Sequence, residues 1–361
     1  MERWQKTLSE SITSLEELAS FFPIDIESLR PVVERYPLQI THSYLSLVHQ
    51  IDDPIGRQCI PDLRELEGDH LSLDPLNEEN FSIVPGLIHR YPDRVVLLVS
   101  LFCPTLCRFC TRKNRLAKTR KGGDRILLGA ALEYIERRTM IREVILSGGE
   151  PLLLTDQELE TILIRLRQID HLQVIRIHTR TPVTLPERIT HHLCRMLKRY
   201  HPLYVNTHFN HPLEITPRSA HACSLLADAG IPLGNQTVLL RGVNDDPGVM
   251  NELMQKLLSL RVRPYYLHQM DPVRGTGHFR TSVQEGLKIM ASLRGQLSGM
   301  ATPSYVIDLP GGKGKVALLP GEVRSKGNIF FLRNYLGEVV EYQDNGRKTM
   351  NPRQRIKVLQ E

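Results

Sequence analysis

The stretch VVLLVSLFCPTLCRFC, residues 95–110, joins a nearly unbroken apolar, β-rich run to three cysteines, Cys103, Cys107 and Cys110. Val95–Leu101 reads as a buried strand, and the cysteines follow at its C-terminal end. Outward from there the same pattern recurs. Further strand candidates lie at Val144–Leu146, Val174–His178, Leu203–Thr207, Thr237–Leu240 and Arg263–Leu267. Amphipathic helical stretches alternate with them, around Leu127–Arg138, Gln157–Ile169, Pro186–Arg199, Arg218–Ala229, Pro247–Leu260 and Val283–Leu297. This βα rhythm predicts an α/β protein with a parallel sheet, and six units predict a partial barrel of (β/α)6 type. Chemistry in such barrels collects at the C-terminal ends of strands, which is where the cysteines fall.

The flanks read differently. Residues 1–85 predict an N-terminal helical extension: Leu15–Phe22 and Ile26–Tyr36 have helical spacing, Thr41–His49 follows, and Pro31, Pro37, Pro54 and Pro61 punctuate them. Asp52–Asn80 is acidic and loop-like. Residues 86–300 hold the barrel core. Residues 301–361 form a C-terminal segment, with a strand at Ser304–Leu309, the loop PGGKGK (310–315), a β-rich piece around Asn328–Tyr342 and a basic tail. At 361 residues and 41% hydrophobic content, the chain can bury a large core. It has no apolar run of membrane-spanning length and no signal-peptide pattern, so the expectation is a soluble, cytoplasmic protein. The net charge of +6 is scattered except at Arg112–Lys121. Without aromatic interleaving or zinc-finger spacing, that balance points to small anions rather than nucleic acid.

Six cysteines in a chain this long are no disulfide framework, and three within eight residues point to metal. Thiolates suit iron–sulfur clusters. Three cysteines can ligate three irons of a 4Fe-4S cubane and leave the fourth open to a ligand that is not protein. A zinc site would want a fourth ligand, and none lies in the motif. After the second strand comes Ser147-Gly148-Gly149-Glu150-Pro151. Its glycines let backbone approach a ligand closely, and Glu150 can accept from an ammonium group. Such a turn alone is common. One strand after the cysteines it resembles the radical SAM superfamily, where the cysteines bind the cluster and the turn meets the methionyl amine of S-adenosylmethionine. The third motif, DLPGGKGK (308–315), lacks Walker spacing. Its lysines are either solvated or a Schiff-base partner for pyridoxal phosphate.

Longer strings carry a closer resemblance. PGLIHRYPDRVVLL (85–98), CRFCTRK (107–113), RTPVTLPERIT (180–190), NTHFNHPLEIT (206–216), LLADAGIPLGNQTVLLRGVND (225–245), RVRPYY (261–266), GHFRT (277–281) and VIDLPGGKGK (306–315) resemble the lysine 2,3-aminomutase family. These are radical SAM enzymes that also carry pyridoxal 5′-phosphate. The match runs from about Trp4 to Leu319. It implies that Lys315 holds pyridoxal phosphate, with Lys313, where the family has glycine, as a second candidate. It implies Arg90, Tyr91 and Arg94 near the cofactor phosphate and phenolate, and Arg112 on the substrate carboxylate. Gly148, Gly149, Glu150, His208, Asn210 and Gln236 match the region facing S-adenosylmethionine; His208 also reads as an ordinary core histidine. Asp271 and Asp308 match two acids that receive the side-chain ammonium of lysine, and glutamate-specific relatives replace them.

The implied reaction moves the α-amino group of L-lysine to the β-carbon. A 5′-deoxyadenosyl radical takes a hydrogen from the β-carbon and later returns it. The N-terminal helices and the C-terminal segment are the natural covers of the barrel mouth. The resemblance also implies a flavodoxin- or ferredoxin-like electron donor and a homo-oligomer. Arginine or another cationic amino acid, a lysine in protein modification, and a non-catalytic Fe–S redox protein remain alternatives. There are departures. No cysteine follows Cys223, and Asp246 stands where clostridial-type relatives have one, so the zinc those relatives bind between subunits is not expected. Cys59, Cys194 and Cys223 read as buried structural thiols. His268 replaces a tyrosine of the cofactor site.

Overall fold

The computed structural model describes residues 2–117, 128–319, 324–326, 329–333 and 338–343. The last part of the basic run (118–121), the start of the first expected crossover helix (127) and the basic tail lie outside the described residues. The chain divides into two compact units, Met1–Leu318 and Leu319–Glu361.

The sheet of the first unit opens with a hairpin, β1 (Ser82–Val84) and β2 (Leu87–Tyr91), turned at Pro85-Gly86 with Gly86 at φ +80°. A left-handed residue there needs glycine. β2 pairs antiparallel with β3 (Arg94–Ser100). From β3 the sheet runs parallel in chain order through β4 (Glu143–Gly148), β5 (Val174–His178), β6 (Leu203–Thr207), β7 (Leu233–Leu239), β8 (Val262–Gln269) and β9 (Ser304–Asp308). β10 (Lys315–Ala317) returns antiparallel on β9. β1 and β10 are the edges, so the sheet is an open, partial barrel. Six helical crossovers link its parallel strands, as the βα rhythm predicts. The seventh parallel strand is SYVID of the C-terminal segment.

Local chemistry explains the elements. β3 buries Val95, Leu97, Leu98 and Val99, the near-continuous apolar pattern of a strand covered on both faces. Helix Asp156–Arg167 starts at a capping box of Thr155 and Glu158. It buries Leu159, Ile162, Leu163 and Leu166 at helical spacing, each side chain stabilising by about 1.5–3 kcal/mol when fully buried. Asp246 caps helix Pro247–Ser259 by accepting from Gly248 N at 2.8 Å and Val249 N at 3.0 Å. Leu15, Leu18, Leu29 and Val32 of the N-terminal extension join the same core as the barrel residues.

Three details differ from expectation. β7 begins at Leu233 rather than Thr237, because Asn235 and Thr237 are buried polar residues whose side chains bond the Phe209 carbonyl and hide the strand pattern. The β1–β2 hairpin straddles the expected boundary at 85/86, with β1 inside the expected helical extension and β2 inside the expected barrel core. Pro31 lies inside helix Ile26–Arg35 instead of ending it. The second unit holds a three-stranded antiparallel sheet of Arg324–Lys326, Ile329–Arg333 and Val339–Gln343. No helix among the described residues is long and apolar enough to cross a membrane.

Candidate active site

A cleft of about 810 Å³ is lined by residues along the parallel strands, from starts such as Arg94, Glu143 and Ser304 to ends such as Gly148, His178 and Asp308. It gathers Cys103, Cys107, Cys110, Arg112, Gly148, Gly149, Glu150, His208, Gln236, Arg90, Tyr91, Arg94, Asp271, Asp308 and Lys315. Burial pushes the Cys103 thiol up, helped by Cys110 and Cys107, and burial with Cys107 pushes Cys110 up to about 11. Buried thiols of this kind ionise only against strong positive charge, which a cluster supplies. Among the described residues no three His, Cys, Asp or Glu side chains converge to chelate a single ion.

The loop bearing these cysteines is braced from behind. Arg108 donates to both Glu65 oxygens at 2.8 and 2.6 Å, and Lys113 donates to Glu65 Oε2 at 2.6 Å and to Gly275 O at 2.8 Å. Burial works against the Glu65 charge, yet the two cations hold its carboxyl below the usual range. The extension therefore anchors the cysteine loop through one buried carboxylate. The Gly-Gly turn has a related task. A Cβ on Gly149 would sit 2.3 Å from Phe102 O, and Gly149 N and Glu150 N both donate to the β3 exit at 2.6 Å. The close approach that requires glycine is thus to the cysteine loop's own backbone.

Glu150 accepts from Thr179 Oγ1 at 2.6 Å, Arg180 N at 2.8 Å and Leu152 N at 3.1 Å. Its carboxyl group braces the turn against the end of β5. Arg180, to which the sequence assigned no role, is a hub. Its Nη1 donates to Cys107 Sγ at 2.7 Å, and its Nη2 donates to Gln58 Oε1, Glu214 Oε1 and Tyr44 Oη at 2.6–3.0 Å. Burial opposes its charge, but Cys107, Tyr44 and Glu214 keep it cationic. A basic residue just past a barrel strand was the available signal. His208 is neutral, since burial and then Arg180 pull it down to about 3. Asn210 is not brought to the cleft. It is buried, its Oδ1 accepts from Val238 N at 3.0 Å and contacts His208 Nε2 at 3.2 Å, and its Nδ2 donates to Gln58.

On the opposite wall, the antiparallel pairing of β9 with β10 sets Lys315 across from Asp308. Lys315 Nζ donates to Asp308 Oδ2 and lies 3.3 Å from His268 Nδ1, while its backbone N–H donates to Tyr91 Oη at 3.0 Å. Burial opposes the Asp308 charge, but His268 and Lys315 hold its carboxyl well below the usual range. Asp271 is the reverse case: burial, then Asp308, pushes it up to about 7. Lys313 is exposed and does not line the cleft. Arg94 stacks on the Tyr91 ring at 4.0 Å, and Arg90 Nη1 is buried with no hydrogen-bond partner. An unspent buried guanidinium donor beside a reachable lysine fits a pyridoxal phosphate dianion. Arg112 donates to both oxygens of Glu78 at 2.8 and 2.6 Å, and its Nη1 contacts Ser147 Oγ and Gly148 O at 3.3 and 3.4 Å. Glu78 was read only as part of an acidic loop. Cys59, Cys194 and Cys223 are free and buried, away from the cleft.

The profile of the Radical SAM superfamily matches residues 97–253, and that of Lysine-2,3-aminomutase matches residues 290–355. The L-lysine 2,3-aminomutase of Clostridium subterminale is 46% identical over 349 residues, which are 95% of this chain and 83% of that one. The L-lysine 2,3-aminomutase of Fusobacterium nucleatum is 45% identical over 356 residues, 97% of this chain and 84% of that one. The glutamate 2,3-aminomutase of Clostridioides difficile is 43% identical over 348 residues, 95% of this chain and 82% of that one. A radical SAM protein uses a 4Fe-4S cluster and S-adenosylmethionine. On this similarity, spread over most of its length, the chain belongs to the lysine 2,3-aminomutase family of the radical SAM superfamily.

Proposed function

We propose that the chain is an isomerase, a lysine 2,3-aminomutase that moves the α-amino group of L-lysine to the β-carbon. The observation that carries the choice of substrate is the pair Asp271 and Asp308. Asp271 is pushed up to about 7, so in the free enzyme at neutral pH a proton sits on its carboxyl for much of the time. Asp308 holds Lys315 here, with Arg90 Nη1 at 3.9 Å. With Lys315 engaged by a cofactor, the two acids lose a cation, and a substrate ammonium between them restores the balance. A glutamate side chain would add a third negative charge.

When bound, the cluster with S-adenosylmethionine supplies one-electron chemistry at a non-acidic C–H bond, and pyridoxal phosphate supplies a carbonyl for the migrating amine. The chain's residues do the positioning. Cys103, Cys107 and Cys110 hold the cluster, with Arg180 against Cys107. Arg112, aimed by Glu78, keeps its more weakly held Nη1 for the substrate carboxylate. Arg90, Arg94 and Tyr91 hold the cofactor phosphate and phenolate, and Lys315 its carbonyl. Leu76 and Glu78 of the extension line the cleft, while Glu65 holds the cysteine loop and Tyr44 and Gln58 hold Arg180 from behind. A one-electron donor of flavodoxin or ferredoxin type, a homo-oligomer without interface zinc, and a cytoplasmic setting complete the reading.

Lysine binding should therefore depend on Asp271 ionisation. Its pKa is raised, so the binding form is lost as pH falls through about 7. Engaging Lys315 with the cofactor removes a cation that pulls this value down, which shifts the loss in the same direction. The lysine ε-ammonium stays charged up to about pH 10. The KM for lysine should rise about tenfold per unit below pH 7 and level off above about pH 8. A KM that is flat from pH 6 to 8, or that rises with pH, contradicts the reading.

A further inference from the structure

Successive side chains of a strand alternate faces, so Tyr266 and His268 of β8 share the side that lines the cleft. β9 brings Asp308 and β10 brings Lys315 to the same wall. These strands set three ionisable groups in a triangle. Lys315 Nζ donates to Asp308 Oδ2 and lies 3.3 Å from His268 Nδ1, and His268 Nδ1 lies 3.5 Å from Asp308 Oδ2. The Tyr266 ring meets His268 edge-on, with centroids 5.4 Å apart, and lies 5.3 Å below Nζ, so it props the imidazole against the lysine. An ammonium has no lone pair to offer. Nδ1 is therefore the acceptor of this contact, and the ring proton sits on Nε2.

The triangle has a chemical use. A lysine attacks a carbonyl only after its ammonium gives up a proton. Among the described residues, Asp308 and His268 are the groups whose side chains reach Nζ. Burial opposes the Asp308 charge, but His268 and Lys315 hold its carboxyl well below the usual range, which makes it the poorer acceptor. Burial and the Lys315 charge pull His268 down against the hydrogen bond from Asp308, so its ring is neutral at neutral pH and open to a proton. Once the lysine charge is gone, the Asp308 carboxylate steadies an imidazolium instead. The positive charge beside Asp308 is kept and only its carrier changes. The other groups facing this corner do not replace His268. Burial keeps His178 and His208 neutral, Arg90 Nη1 is a fixed cation 3.9 Å from Asp308, and Asp271, pushed up to about 7, makes no hydrogen bond to Nζ.

We propose that His268 is a catalytic base and acid for Lys315, taking a proton from Nζ as the lysine engages a carbonyl and giving it to the departing oxygen. The proposal rests on the reading that Lys315 holds the carbonyl of pyridoxal phosphate. Atoms and charge balance within the triangle. One proton moves from the Nζ ammonium to His268 Nδ1. Nζ then bonds to the carbonyl carbon, and a second N–H proton converts the carbonyl oxygen to a hydroxyl. The proton on His268 turns that hydroxyl into water, the C–O bond breaks, and the nitrogen is left as a protonated C=N. Nothing is oxidised or reduced. When a substrate amine replaces Lys315, the same ring takes a proton from the α-ammonium and passes it to Nζ.

The test uses the full chain with its cluster, mixed rapidly with excess pyridoxal phosphate, and follows the visible absorbance of the bound cofactor with time. In the parent the rate should be nearly level from about pH 7 to 8. His268→Gln keeps a polar side chain that cannot take up a proton. It should load about 10²-fold more slowly, with a rate that rises about tenfold per pH unit because solvent must free the amine. His268→Ala should be as slow and should regain at least about tenfold in imidazole buffer, which restores the base without the side chain. Iron–sulfur absorbance kept in both variants shows that fold and cluster survive. Loading at the parental rate in both variants overturns the proposal. So does slow loading that responds neither to pH nor to imidazole, because His268 then only shapes the wall. A parent that gains no such absorbance at any pH overturns the pyridoxal phosphate reading itself, and the proposal with it. Parental loading in the variants leaves that reading standing and removes His268 alone.

Discussion

Lys315→Ala should abolish the visible absorbance of bound pyridoxal phosphate and lower turnover by at least about three orders of magnitude, while the iron–sulfur absorbance stays. The reason is position. Lys315 and Asp308 are cross-strand partners on β10 and β9, so the side chain enters the cleft beside His268 and Tyr91. The loop before it is held in one shape. Gly311, Gly312 and Gly314 all have positive φ, and a Cβ on Gly312 would sit 2.3 Å from the Phe81 ring. Lys313 stays exposed on that loop. Lys313→Ala should keep both absorbance and turnover. Absorbance that survives Lys315→Ala and disappears in Lys313→Ala would move the role to Lys313. Spectra of the two purified variants, loaded side by side, make the comparison.

Asp271→Asn and Asp308→Asn should each lower kcat/KM for lysine by about 10²-fold or more, the scale of losing one partner of a buried charge pair. Their effects on stability should have opposite signs. The Asp271 carboxyl is raised from 3.8 to about 7 on folding, so the native state keeps a proton that the unfolded chain releases. Stability from this group falls as pH climbs from about 4 to 7. At pH 8 Asp271→Asn should therefore stabilise the cofactor-free protein, by about 1–3 kcal/mol once partial exposure discounts the full shift. Asp308 is depressed instead, so its contribution is present above the usual carboxylate range and lost only at lower pH. Asp308→Asn leaves Lys315 without its carboxylate and should destabilise. Denaturant titrations at pH 5 and pH 8, with steady-state kinetics, separate the two. Unchanged lysine kinetics in both variants would remove the basis for ammonium recognition.

Parts of this site were legible because their chemistry is local in sequence. Cys103, Cys107 and Cys110 occupy eight residues at a strand end, and the βα rhythm alone put them at the mouth of a barrel. The loop PGGKGK marked Lys315 through the resemblance, and Asp308 and Lys315 are only seven residues apart on the antiparallel strands β9 and β10. What escaped depends on chain folding back over long separations. Glu65 reaches Arg108 across 43 residues, and Glu78 reaches Arg112 across 34. Both acids sit in a stretch without periodicity, where an acidic side chain looks like any solvated one. Arg180 collects partners from four separate segments, so no spacing rule could have found it. Asn210 shows the converse error. A polar residue in a motif at a strand end looked like a ligand contact, but its hydrogen bonds are spent holding His208 and β7. Glycines 148 and 149 read as sites of close approach to a ligand; the close approach in the structure is to the backbone of Ser100 and Phe102.

In the proposed reaction this cleft moves the amine of lysine within one molecule. Lysine labelled with ¹⁵N at the α-amine, incubated anaerobically with the reduced, reconstituted enzyme and followed by NMR, tests it most directly. The label should appear on the β-carbon of β-lysine, with arginine and glutamate turned over far more slowly. Label that stays on the α-carbon, or faster isomerisation of glutamate than of lysine, would contradict it.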